Sequence, residues 1–290
     1  LVQTALNIFS QHTHDFFYSC SFLFSSLLRN CASQLTFQIS NEFFPSVINY
    51  AYSILRGLEL EEDNFRQSGI FFYFLLQTSF PLPTEITKQI YEAVVWQMNW
   101  MAESPFPSNI FVFTMWNYFH LLYNNKGQLN EMINVEQLQL LCRFFEDDYE
   151  IDLNTSDNEQ SPLNPLFAIF TFLFTIDHSR DDAFLSNLYQ SLLESFSFRR
   201  LINLTSSENI NYSVKAFEVL KQILVKHPEL TQNLLSLDLL DALAAGMENH
   251  FSIKEHCYET IIALIQTQLG DIVLHIFQSN LLLLVLDFVS

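Results

Sequence analysis

Asn211–Leu230, NYSVKAFEVLKQILVKHPEL, and Ser252–Ile272, SIKEHCYETIIALIQTQLGDI, are one helical unit written twice. In the first, Ala216, Phe217, Leu220, Ile223 and Leu224 keep the i, i+3, i+4, i+7 spacing that gathers apolar side chains on one face of a helix over Ser213–His227. Pro228 stops that helix, because it lacks an N–H and disfavours helical geometry in the residue before it. A short helix is expected at Glu229–Leu235 and another at Leu237–Met247, with Gly246 and Asn249 as punctuation at its end. In the second copy Tyr258, Ile261 and Leu264 each stand 41 residues after Phe217, Leu220 and Ile223, and Cys257 and Ile265 take the places of Ala216 and Leu224. Gly270 closes that helix. Ile272, Ile276, Leu281, Leu282 and Val285 then each stand 42 residues after Leu230, Leu234, Leu239, Leu240 and Leu243. A long, a short and a medium helix thus recur about every 40 residues, the period of helical repeat arrays. Such a unit cannot bury its apolar face alone and stacks on its neighbours.

Composition agrees. In 290 residues there are only 5 Gly and 8 Pro against 49% hydrophobic residues, which leaves few tight turns and argues against sandwiches, barrels and glycine-looped nucleotide folds. The 30 Phe are read as core filling. The net charge of −19, from 32 acidic and 13 basic residues, disfavours nucleic acid and anionic membrane and draws basic protein segments. Cys20, Cys31, Cys142 and Cys257 show no paired spacing, which suits a reducing compartment, so the cytoplasm is the expected location and the nucleus the alternative. Leu1 in place of Met, and the apolar closing run Leu281–Val289, lead us to expect a segment of a longer protein. Mean hydropathy is +0.16. The charge-free stretches between Glu103 and Lys126 and between Glu159 and Asp177 are nonetheless broken by Pro105 and Pro107 and by Pro162 and Pro165, so membrane spanning is not expected.

Upstream the rhythm is helical and the period weak. Phe16, Phe17, Phe22, Phe24 and Leu27 mark two helices in the first 30 residues, and Phe43–Leu55 another. Phe65–Thr78 and Thr84–Met101 read as an antiparallel pair parted by Pro81 and Pro83; Ile90, Val94, Val95, Met98 and Met101 form the stripe of the second, with Trp96 and Trp100 beside it. Helices over Asn109–Tyr123, Met132–Phe145, Leu163–Ile176, Ala183–Phe196 and Phe198–Leu204 follow. Residues 146–162, which hold Glu146, Asp147, Asp148, Glu150, Asp152, Asp157 and Glu159, bury too little to offset their ordering entropy and are expected to be an acidic disordered loop.

Catalytic motifs are missing. Gly57, Gly69, Gly127, Gly246 and Gly270 stand alone at expected helix ends, so no phosphate-cradling loop exists, and there is no G-x-S-x-G elbow. His12, His14, Asp15 and Cys20 lack metal-ligand spacing, as do His250, His256 and Cys257, the last of which lies on a core stripe. Asp152, Asn154 and Ser156 open like a calcium loop, but Asp157 stands at the glycine position and Leu163 at the bidentate glutamate position. Ser156, followed by Asp157 and Glu159, suits an acid-directed kinase and is a candidate phosphosite. Arg199–Arg200 and Lys215, Lys221 and Lys226 are the basic concentrations; Glu218 lies three residues from both Lys215 and Lys221, as on a solvated face. No catalytic residue, metal or cofactor is expected.

Residues 211–290 resemble two armadillo repeats, with Ala216–Leu224 and Cys257–Ile265 as third helices, Pro228–Leu235 and Gly270–Phe277 as first helices, and Leu237–Met247 and Asn280–Val289 as second helices. The resemblance implies an all-α, right-handed α-solenoid, an armadillo-like superhelix, over residues 1–290 as one domain. It also implies a non-enzymatic scaffold or adaptor that binds protein partners on the concave face lined by third helices. Importin-alpha-like members place a Trp and Asn ladder there; the matching positions here are Glu218 and Gln222 in one copy and Glu259 and Ala263 in the other, so the ladder is missing. Glu218, Gln222 and Glu259 are the expected partner-binding residues of an acidic groove. A HEAT-type nuclear transport receptor segment is the alternative, and an all-α enzyme the second alternative.

Overall fold

The computed structural model describes residues 69–70, 72–73, 75–77, 82, 84–103, 108–146, 163–176, 183–267, 276 and 281–289. Regular structure among them is helical throughout: α1 (Thr84–Glu103), α2 (Ser108–Asn124), a 3-10 turn (Lys126–Gln128), α3 (Leu129–Met132), α4 (Val135–Glu146), α5 (Leu163–Thr175), α6 (Ala183–Ser195), α7 (Phe198–Leu204), α8 (Ile210–Lys226), a 3-10 turn (Pro228–Leu230), α9 (Thr231–Leu235), α10 (Leu239–Met247), α11 (Phe251–Gln266) and α12 (Leu281–Val289). The chain divides into two compact units, Leu1–Leu140 and Leu141–Ser290. The helices expected in the first 55 residues, and 147–162 of the expected acidic loop, lie outside the described residues. No described helix is long and apolar enough to cross a membrane.

In the first unit Ile86, Ile90, Val94, Met98 and Met101 turn the apolar stripe of α1 inward, while Val95 is half-buried. The buried Gln97 amide finds a partner in the Thr114 hydroxyl of α2 at 3.1 Å, as a buried polar group must. Asn117 and Asn124 of α2 donate from Nδ2 to the carbonyls of Gly69 and Leu76, at 3.0 and 2.8 Å. Both pairs are two helical turns apart, so α2 runs beside the helical residues of 69–77 in the same direction.

The helix expected over Met132–Phe145 is interrupted. The N–H of Gln137 donates to Asn134 Oδ1 at 3.0 Å, and the N–H of Asn134 donates to Gln137 Oε1 at 3.0 Å. This reciprocal capping box starts α4 at Val135 and separates it from α3.

In the second unit several phenylalanines fill the core, whereas Phe251 is exposed. Phe196 stacks on Phe145 at 5.2 Å between ring centroids and meets Phe170 and Phe174 at 4.8 and 5.2 Å. The long helices α5, α8 and α11 pack side by side with α8 in the middle, α10 packs on α11, and α12 on α10. Ala216, Phe217, Leu220, Ile223 and Leu224 of α8 are all buried. Their equivalents on α11 are less uniform: Cys257, Ile261 and Leu264 are buried, but Tyr258 is half-buried and Ile265 exposed. Pro228 ends α8 as expected, opening the 3-10 turn that leads into α9. Gly246 is a packing glycine inside α10 and not an end signal. A Cβ there would lie 2.6 Å from Phe217 Cζ and 2.9 Å from Cys257 Sγ, so only glycine lets α10 come this close to α8 and α11.

Candidate partner-binding face

Because α8 buries one stripe under α5 and α11, its other residues are left at the surface of the row. Among them are Lys215, Glu218, Lys221, Gln222, Val225 and Lys226, all half-buried or exposed. On α11 the corresponding surface carries His256, Glu259 and Ile262. The three expected contact residues therefore do lie on the outward side of neighbouring helices: Glu218 and Gln222 one turn apart on α8, and Glu259 on α11. Ala263, by contrast, is buried.

Each of these acids holds a lysine. Lys215 Nζ meets Glu218 Oε2 at 2.6 Å within α8, and Lys221 Nζ crosses to Glu259 Oε2 of α11 at 2.7 Å. The Lys221 ammonium hydrogen-bonded to it holds the Glu259 carboxyl below its ordinary value, with His256 Nδ1 4.0 Å away on the same side. The face is a lattice of alternating charge, not a row of bare carboxylates. Beneath it the Thr260 hydroxyl lies 3.2 Å from the Phe217 carbonyl and ties α11 to α8.

A second surface, in the first unit, is aromatic. Phe113, Trp116, His120 and Tyr123 follow one another at steps of three and four residues along one face of α2, which carries no charged residue. Tyr73 packs on this row, 5.9 Å from Phe113, 6.4 Å from Trp116 and 5.6 Å from His120. Trp116 stacks with His120 at 6.1 Å and Phe119 with Tyr123 at 5.7 Å; Tyr123 is 56% exposed. Burial pushes the His120 imidazole down to about 4, so it is neutral at pH 7, and its Nε2 has no hydrogen-bond partner among the described residues. Nothing in the sequence reading singled these residues out. Their signal was the period of the aromatics within Asn109–Tyr123, which reads equally as core.

Ser156 and the pseudo-calcium loop, and His12, His14, Asp15 and Cys20, lie outside the described residues. His250 caps α11, accepting from the Ser252 N–H at 3.4 Å, while Cys257 donates its thiol to the Leu243 carbonyl at 3.1 Å. Burial pushes the Cys257 thiol up to about 12, and burial with Glu146 nearby does the same to Cys142, so neither is a nucleophile at neutral pH. Among the described residues no group of His, Cys, Asp and Glu is placed to hold a metal ion.

No family model and no curated protein matches the sequence. Solved structures do. A designed armadillo repeat protein in complex with the peptide (KR)4 is similar with a TM-score of 0.63 and 12% identity, over 90% of this chain and 98% of that one. Computationally designed armadillo repeat proteins for modular peptide recognition give a TM-score of 0.58 at 12% identity, over 90% of this chain and 98% of that one. An engineered protein matches with a TM-score of 0.63 at 11% identity, over 92% and 98%. At such identity the likeness is one of backbone architecture, and it agrees with the helical row and its 41-residue spacing: the chain has an all-α, armadillo-like helical repeat fold, an α-solenoid.

Proposed function

We propose that this chain is a non-enzymatic scaffold that holds protein segments on the outward faces of its long helices, with basic segments as ligands of the α8–α11 surface. The carrying observation is the row of α5, α8 and α11, on which Glu218 and Gln222 of α8 and Glu259 of the neighbouring α11 reach the surface, in a fold shared with designed proteins for modular peptide recognition. The lack of any catalytic motif supports the same reading, and buried, unpaired Cys142 and Cys257 suit the cytoplasm as its compartment. Glu218 and Glu259 act by exchange. Each is part-exposed and held by one lysine, so a ligand's basic side chain displaces Lys215 or Lys221 instead of meeting a free carboxylate. The gain per exposed pair is below about 1 kcal/mol, so affinity must be summed over several contacts. Gln222 supplies an amide between them for the peptide backbone.

The test is an anisotropy titration of a labelled octapeptide of alternating lysine and arginine with the 290-residue chain. Glu218→Lys with Glu259→Lys is expected to weaken binding by about tenfold. Binding should also fall with salt, as exposed charges are screened beyond about 8–10 Å. An affinity indifferent to the double reversal removes these residues as contacts, and an octapeptide that binds no better than a neutral control removes basic segments as ligands.

A further inference from the structure

The acids of the long-helix row are paired, but those of a nearby cleft are not. A cavity of about 550 Å³ lies between α7 and the start of α10, lined by Arg199, Ile202, Asn203 and Ser206 on one side and Leu237, Asp238, Asp241 and Ala242 on the other. None of its lining residues belongs to α5, α8 or α11. Ile202 and Ala242 are 5% and 8% exposed and give it an apolar floor, while Asp238, Asp241, Asn203 and Arg199 are exposed. Among the described residues neither aspartate has an ion-pair or hydrogen-bond partner for its carboxylate, and Arg199 pairs with neither of them. Local structure suits an acid at both positions but pairs neither carboxylate. Asp241 stands in the first turn of α10, where the helix dipole favours a negative charge. Asp238 precedes that helix at φ 66° and makes no side-chain capping bond.

We infer that this cleft is a second ligand site, which seats one arginine or lysine side chain of a protein partner. Its aliphatic stem would lie on Ile202, Leu237 and Ala242 and its cationic head between Asp238 and Asp241. An amphipathic cation suits this lining better than a compact ion, because the floor is apolar and the acids are at the mouth. The sign of the ligand follows from charge: two carboxylates face one guanidinium in a protein of net charge −19. Asn203 and Ser206 offer hydrogen bonds to the neighbouring backbone of the ligand. The inference shares with the proposed function only the premise that the ligand is a basic protein segment, and it adds a site that the long-helix row does not contain.

The same labelled lysine–arginine octapeptide, titrated in parallel into three variants of the full chain, tests it. Asp238→Asn with Asp241→Asn removes both charges while keeping at 238 a residue that tolerates left-handed backbone; a fall in affinity of about tenfold or more is expected. Arg199→Glu removes the opposing cation and adds an acid, and is expected to tighten binding several-fold, a gain that misfolding cannot mimic. Glu218→Lys with Glu259→Lys reports on the long-helix row alone. If only that last pair loses affinity, the cleft proposal is overturned and the row stands. If only the aspartate pair does, the cleft stands and the row does not. No tightening in Arg199→Glu, or no binding by the wild type, also overturns the cleft.

Discussion

Gly246 shows at the scale of one residue how a packing demand outweighs an intrinsic preference. An alanine in the interior of α10 would gain about 1 kcal/mol of helix propensity over glycine. Its methyl, however, would meet the tip of the Phe217 ring and the Cys257 sulfur, both fully buried and neither free to swing away. Overpacking of that kind costs about 1–3 kcal/mol. Two approaches under 3 Å put the cost at the upper end of that range, so after the propensity gain Gly246→Ala is expected to lower stability by about 1–2 kcal/mol, read as a lower urea midpoint at unchanged slope. A variant as stable as the wild type would mean that α10 can stand off from α8. His227 shows the same dependence on neighbours that are distant in sequence. Its Nε2 lies 3.1 Å from the Phe174 carbonyl and its Nδ1 3.2 Å from Glu229 Oε1, while its ring stacks on Tyr189 at 4.6 Å. The sequence marks this residue only as the one before Pro228.

At the scale of elements, what was legible was whatever repeats. The 41-residue spacing set apart α8 and α11 because buried apolar side chains must recur on each stacked helix, and Pro228 marks its boundary by covalent geometry alone. The start of α4 was not legible in the same way. Leu129, Met132 and Leu138 keep an apolar rhythm through the break, and the signal that ends it is the reciprocal pair Asn134 and Gln137. Gln137 also accepts from the Tyr91 hydroxyl at 3.1 Å, so the cap of α4 is tied to α1. Loss of the cap side chain in Asn134→Ala should cost about 1 kcal/mol, and Asn134→Asp should restore most of it, since aspartate caps equally well. Chemical denaturation of the three proteins checks this; an alanine variant with wild-type stability would show that the box contributes nothing. The candidate site was legible only by position. Glu218, Gln222 and Glu259 are on the outward side of the row, but the local three-residue spacing of Glu218 and Lys221 hides the fact that Lys221 reaches to the next helix. The aromatic face of α2 was missed for a related reason: Trp and Phe at helical spacing look the same whether they face a core or solvent.

At the scale of the molecule, each long helix is both core and platform, so its stability is a sum of neighbour contacts and not of its own propensity. α8 is the extreme case, covered by α5 on one side and α11 on the other. Leu220 at its centre is 0% exposed. Leu220→Asp replaces an apolar contact with a carboxylate that has no partner there, at a cost of several kcal/mol, comparable to the 5–15 kcal/mol that hold a whole domain folded. The expected outcome is loss of slow amide exchange throughout α5, α8 and α11. Whether the loss stops at the division near Leu140 depends on how cooperatively the two compact units unfold. If coupling runs only through nearest neighbours, the amides of α2, held by the Asn117 and Asn124 bonds to Gly69 and Leu76, keep their protection in this variant. Exchange that becomes fast in α2 as well would show that one cooperative transition spans both units. Wild-type protection in α8 itself would contradict the burial of Leu220 and with it the stacked arrangement on which both proposed binding sites stand.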